Sequence, residues 1–333
     1  MRQSQNRFDD AWALALRAER QFRELQSPFH LGQALTNLGY LAEDFGRLLE
    51  ARRYHEEALA LRERFSVSEL TAASHYGIAR VDRKLGRFDD AARRVERNLA
   101  NVARLQRPFD VFDNLEELAE IRMRQGRYDD ALRLLDRAET IATEQDDAIG
   151  LAWVAQVRAR ASLRRSIAPA HAFAETGLAI RTFHDLGEDY QRFEARVELA
   201  RLYQLAARAD VSRILLSALA GNPAVENPVL KLTLESALAE QAMLEGNHEV
   251  ALERFEAIVR ESRRLGAADL EAETALRLGR LCIENDRLDL ASQMLIIGQR
   301  WSPDYYRTRA LADAIDASRR LHAVAEDYLG VSE

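Results

Sequence analysis

Three aspartate pairs recur along the chain: Asp9–Asp10, Asp89–Asp90 and Asp129–Asp130. Two adjacent carboxylates can do acid–base work when their surroundings drive the two pKa values apart. No such neighbours flank these pairs, and all three return at one register. The spacing therefore predicts helix starts, where carboxylates in a first turn meet the positive end of the helix dipole and bond free backbone N–H groups. The seven histidines, His30, His55, His75, His171, His184, His248 and His322, are scattered. They show neither HExxH nor any other metal-ligand spacing, so no metal and no cofactor are expected. His55 and His248 fall in slots where packing residues are expected. Cys282 is the lone cysteine, which excludes an intramolecular disulfide framework and a multi-cysteine zinc site. Its place on an apolar helix face predicts a small buried side chain rather than a nucleophile. P-loop, GxGxxG and GxSxG patterns are missing, and the chain reads as a non-enzyme.

The elements that carry these residues follow a ruler of forty. The windows NRFDDA (6–11), GRLLEA (46–51), GRFDDA (86–91), GRYDDA (126–131), GNHEVA (246–251) and DRLDLA (286–291) step by multiples of 40. Two windows between them, SIAPAH (166–171) and AARADV (206–211), are degenerate. Self-similarity at such a period marks a helical repeat array. Gly46, Gly86, Gly126 and Gly246 stop one helix, since glycine takes the left-handed conformation at little cost. Phe8, Phe88, Tyr128, Leu48 and Leu288 plug the corner that follows. Ala11, Ala51, Ala91, Ala131, Ala251 and Ala291 let two backbones approach. Between windows, apolar residues fall at steps of three and four, as in 31–45, 50–65, 113–125 and 130–145.

Bulk properties agree. The chain has 333 residues, 47% of them hydrophobic, with only six prolines and fifteen glycines. No apolar run approaches the roughly 20 residues of a membrane helix. The net charge of −7 is spread through mixed-sign sequence, without the basic stripe that phosphate backbones need. The expectation is a cytoplasmic protein that contacts neither membrane nor nucleic acid directly.

The helix pairs resemble tetratricopeptide repeats. Leu38–Gly39, Gly46, Leu48, Ala51 and Ala58 follow that family's order, as do Leu118–Ala119, Gly126, Tyr128, Ala131 and Ala138, and Leu278–Gly279, Leu288 and Ala291. Asp286 stands for the turn glycine in the last set. The usual period is 34 and here it is 40, which also suits HEAT and armadillo arrays. The turn glycine, corner aromatic and paired alanines decide for the tetratricopeptide type, with six extra residues lengthening the helices by about 9 Å in total. The long subtype is similar to kinesin light chains and to the C-terminal arrays of bacterial signalling regulators. The resemblance implies an all-α, right-handed superhelical solenoid of about eight antiparallel helix pairs, one array over 1–330. The first repeat would lack its first helix, an irregular bend would fall at about 158–231, and a capping helix would occupy 304–329. Trp12, Leu14 and Leu16 on the leading helix need cover, from the next repeat, from a partner or self-association, or from a longer chain; the reading favours the latter sources.

In this family the first helix of each pair lines a concave face where peptides bind. Carried over, that register gives Asn37, Tyr40, Asp44, Tyr76, Arg80, Arg83, Glu117, Glu120 and Arg124 as candidate peptide-binding residues, with Arg201, Gln204, Arg277 and Arg280 further on. Asn37 would grip a peptide group, Tyr40 and Tyr76 would anchor, and Arg80 and Arg83 would pair with a ligand carboxylate. The alternative for the charges is a set of salt bridges between repeats. The functional expectation is an adaptor holding a protein or peptide segment. The alternatives are the sensor arm of a larger bacterial signalling or transcription regulator, and a small-ligand receptor.

Overall fold

The computed structural model describes residues 2–65, 68–165, 170–301 and 305–329. Among them run sixteen α-helices: α1 (Arg2–Glu24), α2 (Pro28–Asp44), α3 (Leu48–Arg64), α4 (Ser68–Lys84), α5 (Phe88–Arg104), α6 (Pro108–Arg124), α7 (Tyr128–Glu144), α8 (Ala148–Arg164), α9 (Ala170–Asp185), α10 (Asp189–Leu205), α11 (Ala209–Ala220), α12 (Pro228–Leu244), α13 (His248–Leu265), α14 (Ala268–Glu284), α15 (Leu288–Trp301) and α16 (Tyr306–Leu329). A 3₁₀ turn, Pro223–Glu226, precedes α12. Sequential antiparallel helices pack on each other throughout, so the chain is an all-α solenoid. Most of the window SIAPAH (166–169) lies outside the described residues, as do the side chains of Phe8, Asp9 and His322.

The forty-residue ruler is two identical strides of twenty. A 17-residue helix recurs from α2 through α8, and three residues turn the chain. After α2, Gly46 takes φ 71°, its N–H reaches the Glu43 carbonyl at 3.0 Å and the Arg47 N–H reaches the Ala42 carbonyl at 2.8 Å. This pair of bonds is the Schellman closure, which satisfies carbonyls a helix end leaves free. Residues without glycine make the same closure. Gln26, Gln106, Asp146, Ala207 and Asp286 all carry φ between 51° and 57°. Their Cβ atoms pay for a backbone that glycine adopts freely.

The aspartate pairs do not cap. The N-cap position belongs to Arg87 and Arg127, and neither helix start has a side-chain cap bond. Asp89–Asp90 and Asp129–Asp130 do sit in a first turn, whereas Asp9–Asp10 lie well inside α1, which begins at Arg2. The first-turn carboxylates serve side chains: Asp90 pairs with Arg93, Asp130 with Arg127 and Arg133, and Asp89 accepts from Gln125 Nε2 at 2.7 Å. The tight three-residue turn brings an arginine to the cap, so the aspartates find guanidinium donors first. The corner residues Leu48 and Phe88 are buried, and Ala51, Ala91, Ala131, Ala251 and Ala291 are fully enclosed.

His55 and His248 part company. His55 is fully buried on α3, facing two glycines of neighbouring first helices. A Cβ on Gly39 would stand 2.5 Å from its ring, and one on Gly77 would stand 2.6 Å away. Tyr40 meets the ring edge-on at 5.0 Å between centroids. Burial lowers the His55 pKa to about 4, so the ring packs as a neutral aromatic. His248, by contrast, is exposed as the first residue of α13; the corner there is left open. Cys282 is buried, and burial raises its thiol pKa to about 11.

At the leading end, α1 is covered by its own chain. Trp12 meets Tyr54 edge-on at 6.1 Å with Arg47 over its ring at 5.1 Å, and Phe22 stacks on His30 at 5.1 Å. The cover expected from outside is thus supplied to Trp12 by α2–α3, while Leu14 stays 62% exposed. At the other end α16 buries Leu311 and Ile315 against α14 and α15.

The array also closes on itself. Phe88 on α5 meets Tyr305, just before α16, edge-on at 6.2 Å. Arg124 at the end of α6 donates to Glu273 on α14 at 2.8 Å and lies over the Tyr305 ring at 5.8 Å. The turn at Gly46 abuts the turn at Gly266: a Cβ on Gly266 would stand 3.2 Å from the Gly46 carbonyl oxygen.

Two substitutions test this packing. Ala207→Gly should raise stability by about 1 kcal/mol, because it removes a left-handed alanine; urea denaturation measures it. Gly77→Ala should cost about 1–3 kcal/mol by overpacking, and most of that loss should vanish in a His55→Ala background, a coupling that a double-mutant cycle reads out.

Candidate functional site

A central cavity of about 1020 Å³ lies inside the closed winding. Its lining comes from the even-numbered helices: Tyr40 on α2, Tyr76 and Arg80 on α4, Glu117 on α6, Trp153 and Arg160 on α8, Glu194 on α10, Thr233 on α12, Glu273 on α14 and Arg307 on α16. The twenty-residue stride explains this. Every second helix returns to the same side of the ribbon, and residues 34 to 40 positions apart face one another across adjacent pairs.

Eight of the candidate residues lie in that lining: Tyr40, Asp44, Tyr76, Arg80, Arg83, Glu117, Glu120 and Arg124, joined by Arg201 and Arg277. Asn37 does not; it is exposed and accepts from Gln33 at 3.5 Å. Gln204 is buried and donates to the Ala237 carbonyl at 3.0 Å, and Arg280 is exposed.

The arginines are committed within the chain. Arg80 donates to Glu43 at 2.7 Å, and Lys84 stands 2.8 Å from the same carboxylate. Arg83 grips Glu117 through two bonds, at 2.6 and 3.2 Å. Arg160 bridges Glu120 at 2.8 Å and Glu198 at 3.2 Å. Arg201 donates to Glu240 at 3.1 Å, and Arg277 pairs with Glu240 and Glu273. The expected pairing of Arg80 and Arg83 with a ligand carboxylate is therefore corrected: their carboxylates are Glu43 and Glu117, one repeat away. Both acids are almost fully buried, so each needs its cation. Tyr40 and Tyr76 serve the same purpose, flanking Arg80 at 5.5 and 5.7 Å from their ring centres.

The electrostatics divide the acids into two sets. Burial alone would raise the Glu43 pKa, but Arg80 and Lys84 outweigh it and hold the group at about 2. For Glu116 the balance reverses: enclosure and the nearby Glu117 and Glu120 outweigh Arg160 and Arg83 and push it to about 8. Glu198 rises to about 8, chiefly through burial that Arg160 does not offset. Burial and Asp110 lift Asp113 to about 6, and burial also lifts Glu194 and Asp44. Asp113 and Asp44 are open to the cavity space, yet water enclosed by protein solvates charge less well than bulk water.

Glu43, Glu116, Arg160, Tyr190, Glu194, Glu198 and Glu273 were not among the candidates. Most sit on helices whose repeat signature is weak, and their role depends on neighbours a full repeat away. No group of three His, Cys, Asp or Glu side chains suited to a metal ion occurs among the described residues. No described helix is long and apolar enough to cross a membrane.

Stacked helix pairs wound around a charged central cavity define a helical-repeat solenoid. Residues 31–104 match the tetratricopeptide repeat family model, and the same helical stride continues on either side of them. No curated protein sequence matches it. Among solved structures, the fold is shared with a Rap protein complexed with competence and sporulation factor, at 11% identity and TM-score 0.68 over 86% of this chain and 76% of that one. It is shared with NprR in complex with its cognate peptide NprX, at 12% identity and TM-score 0.57 over 87% and 88% of the two chains. A signal-transduction ATPase with numerous domains and a tetratricopeptide repeat sensor, from Pyrococcus horikoshii, aligns at 15% identity and TM-score 0.53; the match spans 96% of this chain and 52% of that one.

The raised carboxyls set a pH dependence. Folded Glu116 and Glu198 keep their protons up to about pH 8, whereas an unfolded glutamate releases its proton near pH 4.3. The folded chain holds more protons across that window, so stability should fall as pH rises through it. Glu43 acts in the opposite sense, but its contribution is lost only as pH drops toward about 2. The urea midpoint should be higher at about pH 5 than at about pH 8, and Glu116→Gln should flatten the difference.

Proposed function

We propose that the chain is a non-catalytic peptide-binding protein whose ligand enters the central cavity. The observation that carries this is the cavity itself: about 1020 Å³, walled by seven first helices and α16, with Tyr40, Tyr76, Trp153 and Tyr190 in the lining. Its volume is at the top of the range that serves drug-sized ligands, which suits a short peptide better than a metabolite. Two proteins of the same fold, the Rap protein and NprR, were solved with competence and sporulation factor and with a cognate peptide. A peptide in this space would meet polar side chains from several repeats at once, so binding would bias the curvature of the whole array.

A second reading places this array as the sensor arm of a larger bacterial signalling protein. Its support is the likeness to the sensor-bearing ATPase, of which the array matches about half. The two readings agree on the ligand and differ in what the occupied array acts upon. Both place the protein in the cytoplasm.

Random nonapeptides carrying one photoreactive residue test the site. Crosslinks should map to α4, α6, α8 and α10, and Thr233→Trp, which projects a bulky ring into the cavity, should weaken them with helicity unchanged. Crosslinks confined to the outer, odd-numbered helices would place the binding surface elsewhere.

A further inference from the structure

The charges inside the cavity do not balance. Among the described residues its lining holds twelve carboxylates against eight basic side chains. The basic groups are engaged by the chain's own acids, as Arg80, Arg83 and Arg160 illustrate. An anionic ligand would have to break those pairs. Of the lining carboxyl groups, Asp44, Asp113, Glu116, Glu188 and Glu194 form no ion pair or side-chain hydrogen bond with a described residue, and Asp269 accepts only from the Leu270 N–H. Glu116 on α6 and Glu194 on α10 flank α8, and both feel its Arg160, with Arg83 also acting on Glu116 and Lys84 on Glu194. Arg160 is already divided between Glu120 and Glu198.

Acidic residues on an open helix face would mean only a solvated surface. Three further observations separate this case from that one. The carboxyl groups line a recessed cavity walled by helices rather than an open helix face. Glu198, only 8% exposed and in the same lining, leaves its Oε2 without a hydrogen-bond donor although its residue is buried. Tyr190, at the start of α10, keeps 37% of its surface open in that lining, presenting an aromatic ring among carboxylates. Unpaired carboxyl groups, which a neighbouring cation would help to ionise, and an open aromatic face are the complement of an ammonium or guanidinium on an alkyl stem.

We propose that the cavity selects a basic peptide, with a lysine or arginine side chain seated beside Glu116 and Glu194 and its stem against Tyr190. The inference rests on the peptide-binding reading and adds the charge of the ligand. A seated cation would give Glu116 and Glu194 the ionic partner that neither has among the described residues. The negative lining would also concentrate cationic peptides at the cavity mouth, an effect that salt screens.

The test uses the full chain and three pools of end-blocked hexapeptides with net charge +2, 0 and −2, read by affinity selection and mass spectrometry. The +2 pool should be retained at least about ten-fold more than the −2 pool, a ratio worth about 1.4 kcal/mol. The preference should collapse in Glu116→Gln/Glu194→Gln, in which two unpaired carboxyls are replaced by amides of the same shape, so the fold is kept and circular dichroism confirms it. Retention of the neutral or negative pool that weakens in Thr233→Trp would overturn the charge inference and leave the peptide reading standing. Spermine bound through Glu116 and Glu194 with no pool retained would overturn the peptide in favour of a free polyamine. Retention of neither would overturn both readings.

Discussion

The residue that closes each helix in the left-handed conformation sets the geometry of everything else. It recurs at 26, 46, 86, 106, 126 and 146, and again at 187, 207, 246, 266 and 286. Because each closure is followed at once by a new helix, 17 residues long from α2 through α8, every second helix presents the same face inward. Side chains 34 to 40 residues apart then meet, and the Arg83–Glu117 and Arg80–Glu43 pairs become possible. If one helix ran a residue longer, its inward face would rotate by about 100° and the pairs at that step would separate.

Those inward pairs hold structure and site together. A buried carboxylate such as Glu43 or Glu117 costs several kcal/mol unless a cation accompanies it. The chain therefore commits its cavity cations to its own acids. What remains chemically unfinished in the cavity is negative, and it is concentrated where α6, α8 and α10 meet. Stability and recognition use the same groups in opposite ways: the paired acids fasten neighbouring repeats, and the unpaired ones raise the energy of the empty cavity.

Much of the fold was legible because its causes are local. Glycine at the turn, alanine at the crossing and apolar residues at steps of three and four each act within a few residues, so repetition at 40 exposed them. The inward register was legible too, which is why eight of the nine candidates line the cavity. What those candidates do was not. Arg80 reads the same whether its partner is a ligand or Glu43, and only the stacking of α2 on α4 decides. His248 read as packed because its window matched, but no neighbour encloses it. The contact of Arg124 with Glu273 spans 149 residues and leaves no trace in any local pattern.

The meeting of Gly46 with Gly266 has a mechanical consequence. An open solenoid is a spring: each joint flexes on its own, and a disturbance fades along the axis. Here the two turns touch backbone to backbone, with Ala267 against the space a Gly46 side chain would fill. The winding is thereby a hoop. A hoop cannot open at one joint without shearing its seam, so any change of angle at α8, half a circuit away, is delivered to the junction of the early and late repeats.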